Sequence, residues 1–349
     1  MSFARRITTW QARHGRRDLP WQKVRDPYAL WVSEIMLQQT QVATVIPYYL
    51  RFMVSLPDVR ALAAAPSDEV MALWSGLGYY SRARNLQRAA QIICERHAGC
   101  FPRTIEEIEA LPGIGRSTAG AIMVFAYGGR HPILDGNVKR VLARVCGIVG
   151  YAGEKEVGDA LWRAAIKRLP PARLETYTQG LMDLGATVCV RRPRCGKCPV
   201  RTLCVAARDG RVNEIPAPRP RKALPHRTTT MLVLDHAGEV LLEKRPAPGI
   251  WGGLWCLPEL DRGADAAAAC EQRFGAHIAS LQALEKVEHG FTHFSLTILP
   301  QRAPVTALVP RVGETVHQWL PIGLAKAAGI PSPVRKILES LQARQPGAT

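Results

Sequence analysis

A stretch that suits neither a helix nor a sheet divides this chain. Residues 213–226 hold four prolines. Each fixes φ and removes a backbone donor, so 213–227 reads as a stiff, extended, basic linker. The apolar pattern differs on its two sides. Residues 1–212 place apolar positions at helical spacing, broken by stop signals such as Pro57, Pro66, Gly99 and Pro170, which predicts many short helices. Beyond the linker, 230–235 and 239–244 flank a turn containing Gly238, which predicts a β-hairpin. Helical patterns return near 264–274 and 333–343. The chain therefore reads as a mainly α domain, 1–212, followed by a smaller α/β domain, 228–349, without internal repeats.

Composition narrows the function. Lys and Arg number 46 against 29 Asp and Glu, a formal charge of +17, which favours a polyanionic partner through counterion release. No run of about 18 apolar residues exists, so no membrane span is expected. The N-terminus, with Arg5 and Arg6 and no apolar stretch behind them, is not a secretory signal. Of nine cysteines, four fall between Cys189 and Cys204. That pattern suits a metal site plus free thiols in a reducing cytoplasm.

Cys189, Cys195, Cys198 and Cys204 are spaced C-x5-C-x2-C-x5-C. Four thiolates in so short a loop suit a tetrahedral zinc site or an iron–sulfur cubane, and the spacing alone leaves both open. Arg191, Arg192, Arg194, Lys197 and Arg201 lie between them, a basic surface suited to backbone phosphates. A turn at 111–115, by itself a common helix connection, reads as a second candidate phosphate-binding element beside the cysteine loop and the +17 charge. Gly113 and Gly115 allow a tight turn between two helical patterns, the first opened by Thr104 and Glu107. Backbone amides at the start of the second helix, near Ser117, can face a phosphate.

Two carboxylates are candidates for the chemistry, against the plainer readings of Glu34 as a partly exposed residue of an amphipathic helix and of Asp135 as a helix N-cap. Between Asp26 and Asp58 the only Asp, Glu, Lys or Arg residues are Glu34 and Arg51. Asp26 and Pro27 open a helix on which Glu34 is flanked by apolar residues, and burial there would keep it protonated as a general acid. Asp135 sits just before another helical run, where the positive helix end favours the ionised form. A neutral acid beside an anion is what cleavage of an N-glycosidic bond needs: one protonates the departing base, the other stabilises oxocarbenium character at the sugar.

The residues at 19–21 (Leu19, Pro20, Trp21), 33–42, 76–80, 111–119 and 133–138 resemble motifs of the MutY family, adenine DNA glycosylases of the helix–hairpin–helix superfamily, over nearly the whole chain. The resemblance implies a helix–hairpin–helix glycosylase domain with an iron–sulfur loop, 189–204, holding a [4Fe–4S] cluster, and a Nudix-like C-terminal domain. It implies excision of adenine opposite 8-oxoguanine or guanine in duplex DNA by a cytoplasmic, nucleoid-associated monomer. Glu34 matches the proton donor, Asp135 the sugar-cation stabiliser and Asn137 a residue organising that site. Arg17, Leu19, Trp21 and Gln179 match positions lining the adenine pocket, and Gln39 and Tyr79 match side chains wedged into the base stack. Related endonuclease III-like enzymes place a Schiff-base lysine where this chain has Ser117, which implies a monofunctional glycosylase. Lys139 lies near in sequence as an alternative amine. The Nudix signature keeps Gly253 and Glu259 but retains only Glu271 of three helical carboxylates, too few for pyrophosphate hydrolysis. The family's Phe-Ser-His lesion loop is matched by Phe291, Thr292 and His293. Its first cysteine spacing is usually one residue longer than here.

Overall fold

Local signals start the helices that matter. Asp26 accepts from the amides of Tyr28 and Ala29 at 3.1 and 3.3 Å, Pro27 occupies the first turn, and the helix Pro27–Leu37 follows. Tyr28 to Ser33, Ile35 and Met36 are all buried, so Glu34 stands on an almost wholly enclosed helix. Thr104 accepts from the Glu107 amide and donates to its carboxylate at 2.7 Å, opening the short helix Ile105–Glu109. Asp135 accepts from the Val138 amide at 2.7 Å and starts Gly136–Cys146.

The computed structural model describes residues 1–220, 223–247, 249–309 and 316–343; residues 221 and 222 of the expected linker lie outside them. The chain forms two compact units, residues 1–64 with 85–221, and 65–84 with 222–349.

The first unit is helical. Its core joins Ile7 of Phe3–His14, Val138, Val141 and Leu142 of Gly136–Cys146, and Tyr177, Leu181 and Leu184 of Leu174–Thr187. Gly185 lets the last two helices meet, since a Cβ there would stand 2.6 Å from the Cβ of Asn137. The start of the linker belongs to this unit: Ile215 is buried, its carbonyl accepts from Arg144 Nε at 2.8 Å, and Ala217 bridges to Tyr151.

The second unit is built on strands β1 (His226–His236), β2 (Glu239–Lys244), β3 (Trp255–Cys256), β4 (Glu259–Leu260), β5 (Ala276–Ile278), β6 (Gln282–Ala283), β7 (Val287–Gly290), β8 (Ser295–Leu308) and β9 (His317–Pro321). The expected hairpin pairs Asp235 with Val240 and His236 with Glu239. β1 runs parallel to β8, and the main order is β3-β2-β1-β8-β5. Helices Ala266–Phe274 and Ser332–Ala343 accompany the sheet. The core of this unit includes Leu232, Leu234, Leu241, Cys270 and Phe274.

Residues 65–84 group with this second unit through long-range polar contacts. Ser75 Oγ donates to the Ile330 carbonyl at 2.8 Å and accepts from Arg335 at 3.0 Å, Lys244 pairs with Asp68 at 2.6 Å, and Arg84 donates to the Gly252 carbonyl at 2.6 Å. Among the described residues, no helix is long and apolar enough to cross a membrane.

Candidate active site

The Pro27–Leu37 helix delivers Glu34 to a cavity of about 310 Å³ in the first unit. Arg17, Leu19, Trp21 and Gln179 line the same cavity, with Arg16, Phe125 and Met182. Leu19 and Trp21 are buried at its wall, and Trp21 packs edge-on against Tyr49 at 5.3 Å between ring centroids. Burial first, and then the charge of Asp135, push the Glu34 carboxyl up to about 8. At neutral pH it holds a proton, which is the state a general acid requires.

Asp135 behaves differently from the expectation drawn from its helix end. Its carboxyl is raised, because burial outweighs the hydrogen bonds from Val138 and Asn137 and the charge of Arg140. Those three partners all favour the anion at Asp135, whereas burial and the neighbouring charge both favour the neutral acid at Glu34. Ser117 is tied to the same loop: its hydroxyl accepts from the Leu134 amide at 2.9 Å.

Asn137 is held by Arg140, whose Nη2 donates to Asn137 Oδ1 at 2.8 Å and to the Gly185 carbonyl at 2.7 Å. Its Nε donates to the Cys189 carbonyl at 2.7 Å. Arg144, one turn on, donates to the carbonyls of Val190 and Arg191 and to Cys189 Sγ at 3.3 Å. Neither arginine was singled out from sequence. The only local signal is helical spacing after Asp135, and their partners outside that helix lie 45 to 71 residues away.

All four loop cysteines line one further cavity, walled by Val141, Val145, Leu184, Val188 and Val200. Burial lifts the Cys198 thiol to about 11, so its thiolate form calls for a cation. Among the described residues no three His, Cys, Asp or Glu side chains converge on a single ion. The four thiols and the apolar walls around them form a donor set for a metal group.

The hairpin follows the sequence. Gly113 has φ +80° and faces Asn85, which a Cβ would meet at 2.9 Å. Gly115 caps Arg116–Tyr127, a twelve-residue helix whose first amides are available to an anion. Gln39 and Tyr79 are exposed, and both carry left-handed backbone, φ 57° and 49°. Ala98, Arg173, Ala237 and Trp251 share that backbone region.

In the second unit, Tyr79 lines a cleft of about 450 Å³ with Arg84, Trp251, His289, Phe291, Thr292 and His293. Phe291 stacks on Phe294 at 4.3 Å and meets Trp251 at 5.5 Å. Glu259 is occupied by Arg245 at 3.1 Å, and Glu271 is exposed on its helix.

Comparison with known proteins places these features. Residues 32–166 match the HhH-GPD superfamily of base excision DNA repair proteins, and 229–340 match the NUDIX domain. An adenine DNA glycosylase of Buchnera aphidicola is 35% identical, covering 97% of both chains. The human adenine DNA glycosylase is 34% identical over 99% of this chain and 75% of its own length. A thermostable thymine-DNA glycosylase shares the fold over 59% of this chain and 95% of its own, with 30% identity and a TM-score of 0.53.

Proposed function

We propose that this chain, which belongs to the adenine DNA glycosylase family, removes adenine paired with 8-oxoguanine or guanine in duplex DNA by hydrolysing its N-glycosidic bond. The observation that carries this reading is Glu34, its carboxyl pushed up to about 8, in the cavity lined by Arg17, Leu19, Trp21 and Gln179, with Asp135 near enough to add to that shift. The adenine turns out of the duplex into that cavity, and the cost of unstacking is offset by side chains that fill the gap, Gln39 and Tyr79. Glu34 donates its proton to a ring nitrogen of the base. The N-glycosidic bond breaks, the base leaves neutral, and Asp135 stabilises the sugar cation until water adds at C1′. Asn137 orients Asp135, and Arg17, Leu19, Trp21 and Gln179 shape the space around the base.

The second unit reads the partner base. Its cleft offers aromatic faces and the Thr292 hydroxyl to an 8-oxoguanine, and Gly113 and Gly115 hold backbone phosphate. Cys189, Cys195, Cys198 and Cys204 hold a [4Fe–4S] cluster, which supplies a rigid, basic loop and takes no part in the bond cleavage. Ser117 cannot form an imine, so the product is an abasic site in an unbroken strand. The protein acts as a monomer in the cytoplasm. A duplex with one adenine opposite 8-oxoguanine tests this: free adenine should appear, and the strand should break only after base or heat. No released adenine from protein with a filled cluster sinks the proposal, and spontaneous strand breaks sink its monofunctional part.

A further inference from the structure

A buried acid beneath the pocket has no part in the steps above. Asp183 is wholly buried on the helix Leu174–Thr187, one turn beyond Gln179. Its Oδ1 accepts from Gln179 Nε2 at 2.9 Å and from Arg16 Nε at 2.7 Å, while Oδ2 accepts from the Arg16 amide at 2.9 Å. Gln179 and Arg16 both line the cavity that holds Glu34.

We propose that Asp183 is a positioning residue that fixes the amide orientation of Gln179 and thereby selects adenine against 6-oxopurines. This rests on the adenine reading above. A glutamine amide has two near-equivalent orientations, and only its partners choose between them. A carboxylate accepts and never donates, so it can meet only the amide nitrogen. With one N–H given to Asp183, Gln179 keeps one acceptor and one donor for a base. Adenine has a single donor group, its exocyclic amine, beside ring-nitrogen acceptors, and this pattern matches that pair. Hypoxanthine and guanine put a carbonyl where the amine stands. Against it the Gln179 oxygen is unmatched, and turning the amide over would aim that oxygen at the Asp183 carboxylate. Sites built this way reject the wrong hydrogen-bond pattern strongly, because a buried polar group is left unpaired. Arg16 holds the carboxylate through both its side chain and its backbone, which keeps Asp183 from turning to follow Gln179.

The test is single-turnover excision of adenine and of hypoxanthine, each opposite 8-oxoguanine, by wild-type protein and by Asp183→Asn. Asparagine can donate, so it frees the Gln179 amide to turn. The adenine-to-hypoxanthine ratio of single-turnover rate constants should fall at least tenfold, with hypoxanthine excision rising in absolute terms. A merely structural role would lower both substrates in proportion and leave the ratio unmoved, which overturns the inference. Wild type that releases adenine with D183N keeping its ratio defeats this inference alone; wild type that releases no adenine defeats the parent reading as well. Should D183N fail to fold, Gln179→Ala carries the same test: its ratio must fall comparably, and an unchanged ratio refutes the role of the amide.

Discussion

The cavity around Glu34 and the cleft around Phe291 are similar in scale and opposite in chemistry. The first is lined by Glu34 and Glu175 and backed by Asp135 and Asp183. The second, among the described residues, is lined by aromatic, hydroxyl, imidazole and arginine side chains without a single carboxylate. A site that breaks a glycosidic bond has to hold a proton and an anion near one another, and burial supplies the tension that keeps them distinct. A site that recognises a base gains from flat rings and hydrogen-bonding groups, and needs no carboxylate to hold or release a proton. The NUDIX-type domain makes the point from the other direction: where a hydrolase would gather acids for metal, Glu259 is neutralised by Arg245.

The contrast is broken most directly by Glu34→Gln. Loss of the proton donor should lower single-turnover adenine release by about a thousandfold, while affinity for the 8-oxoguanine duplex changes little. A loss of the same size from any one substitution in the cleft would erase the distinction.

A pH series comes next. Glu34 is protonated below about 8, so adenine release should decline as pH rises through that value. Over the same window duplex affinity should decline less than adenine release, since burial and Lys336 hold the His289 imidazole below its usual range. Stability carries the same sign. The folded state keeps a proton on Glu34 that the unfolded chain releases near its ordinary carboxylate pKa. The stability that proton supports is complete below that pKa and is lost as pH rises to about 8. Glu34→Gln should therefore raise the melting temperature at pH 8 to 9, by a few kcal/mol in stability, and the gain should vanish near pH 4. A variant no more stable at high pH would mean that Glu34 is not held neutral.

Smaller effects sharpen the cleft side. Thr292→Ala removes one hydroxyl and should reduce the preference for 8-oxoguanine over guanine opposite adenine by up to about tenfold, the worth of one hydrogen bond. Excision opposite guanine should be nearly unchanged. The smallest is Arg245→Met. Its half-buried ion pair with Glu259 should cost under about 1 kcal/mol in chemical denaturation. Added magnesium should still produce no nucleotide hydrolysis. Hydrolysis by that variant would show a metal site only masked by the arginine.

What the sequence made legible was local. Asp26, Thr104 and Asp135 each announce a helix start, and Gly238 announces the hairpin, because caps and turns are settled within a few residues. The upward shift of the Asp135 carboxyl is not legible for the same reason. The helix end is visible in sequence, but the burial that overrides it comes from distant segments. Arg140 and Asp183 were invisible: the first reaches Cys189, 49 residues on, and the second reaches back 167 residues to Arg16. The grouping of 65–84 with the second unit leaves no trace in periodicity, since Val70, Met71 and Trp74 would be buried in either unit.

That last segment sets a timetable for synthesis. Ser75 is bonded to Ile330, 255 residues further along the chain. At about 5–20 residues per second, roughly 13 to 50 seconds separate the two on the ribosome. Through that interval Met71 and Trp74 are present in the nascent chain while their eventual unit is still unmade. Contacts such as Ser75 with Ile330 therefore form last, and a gene fragment beginning at the prolines would encode the second unit without Tyr79 and the rest of its earliest strip.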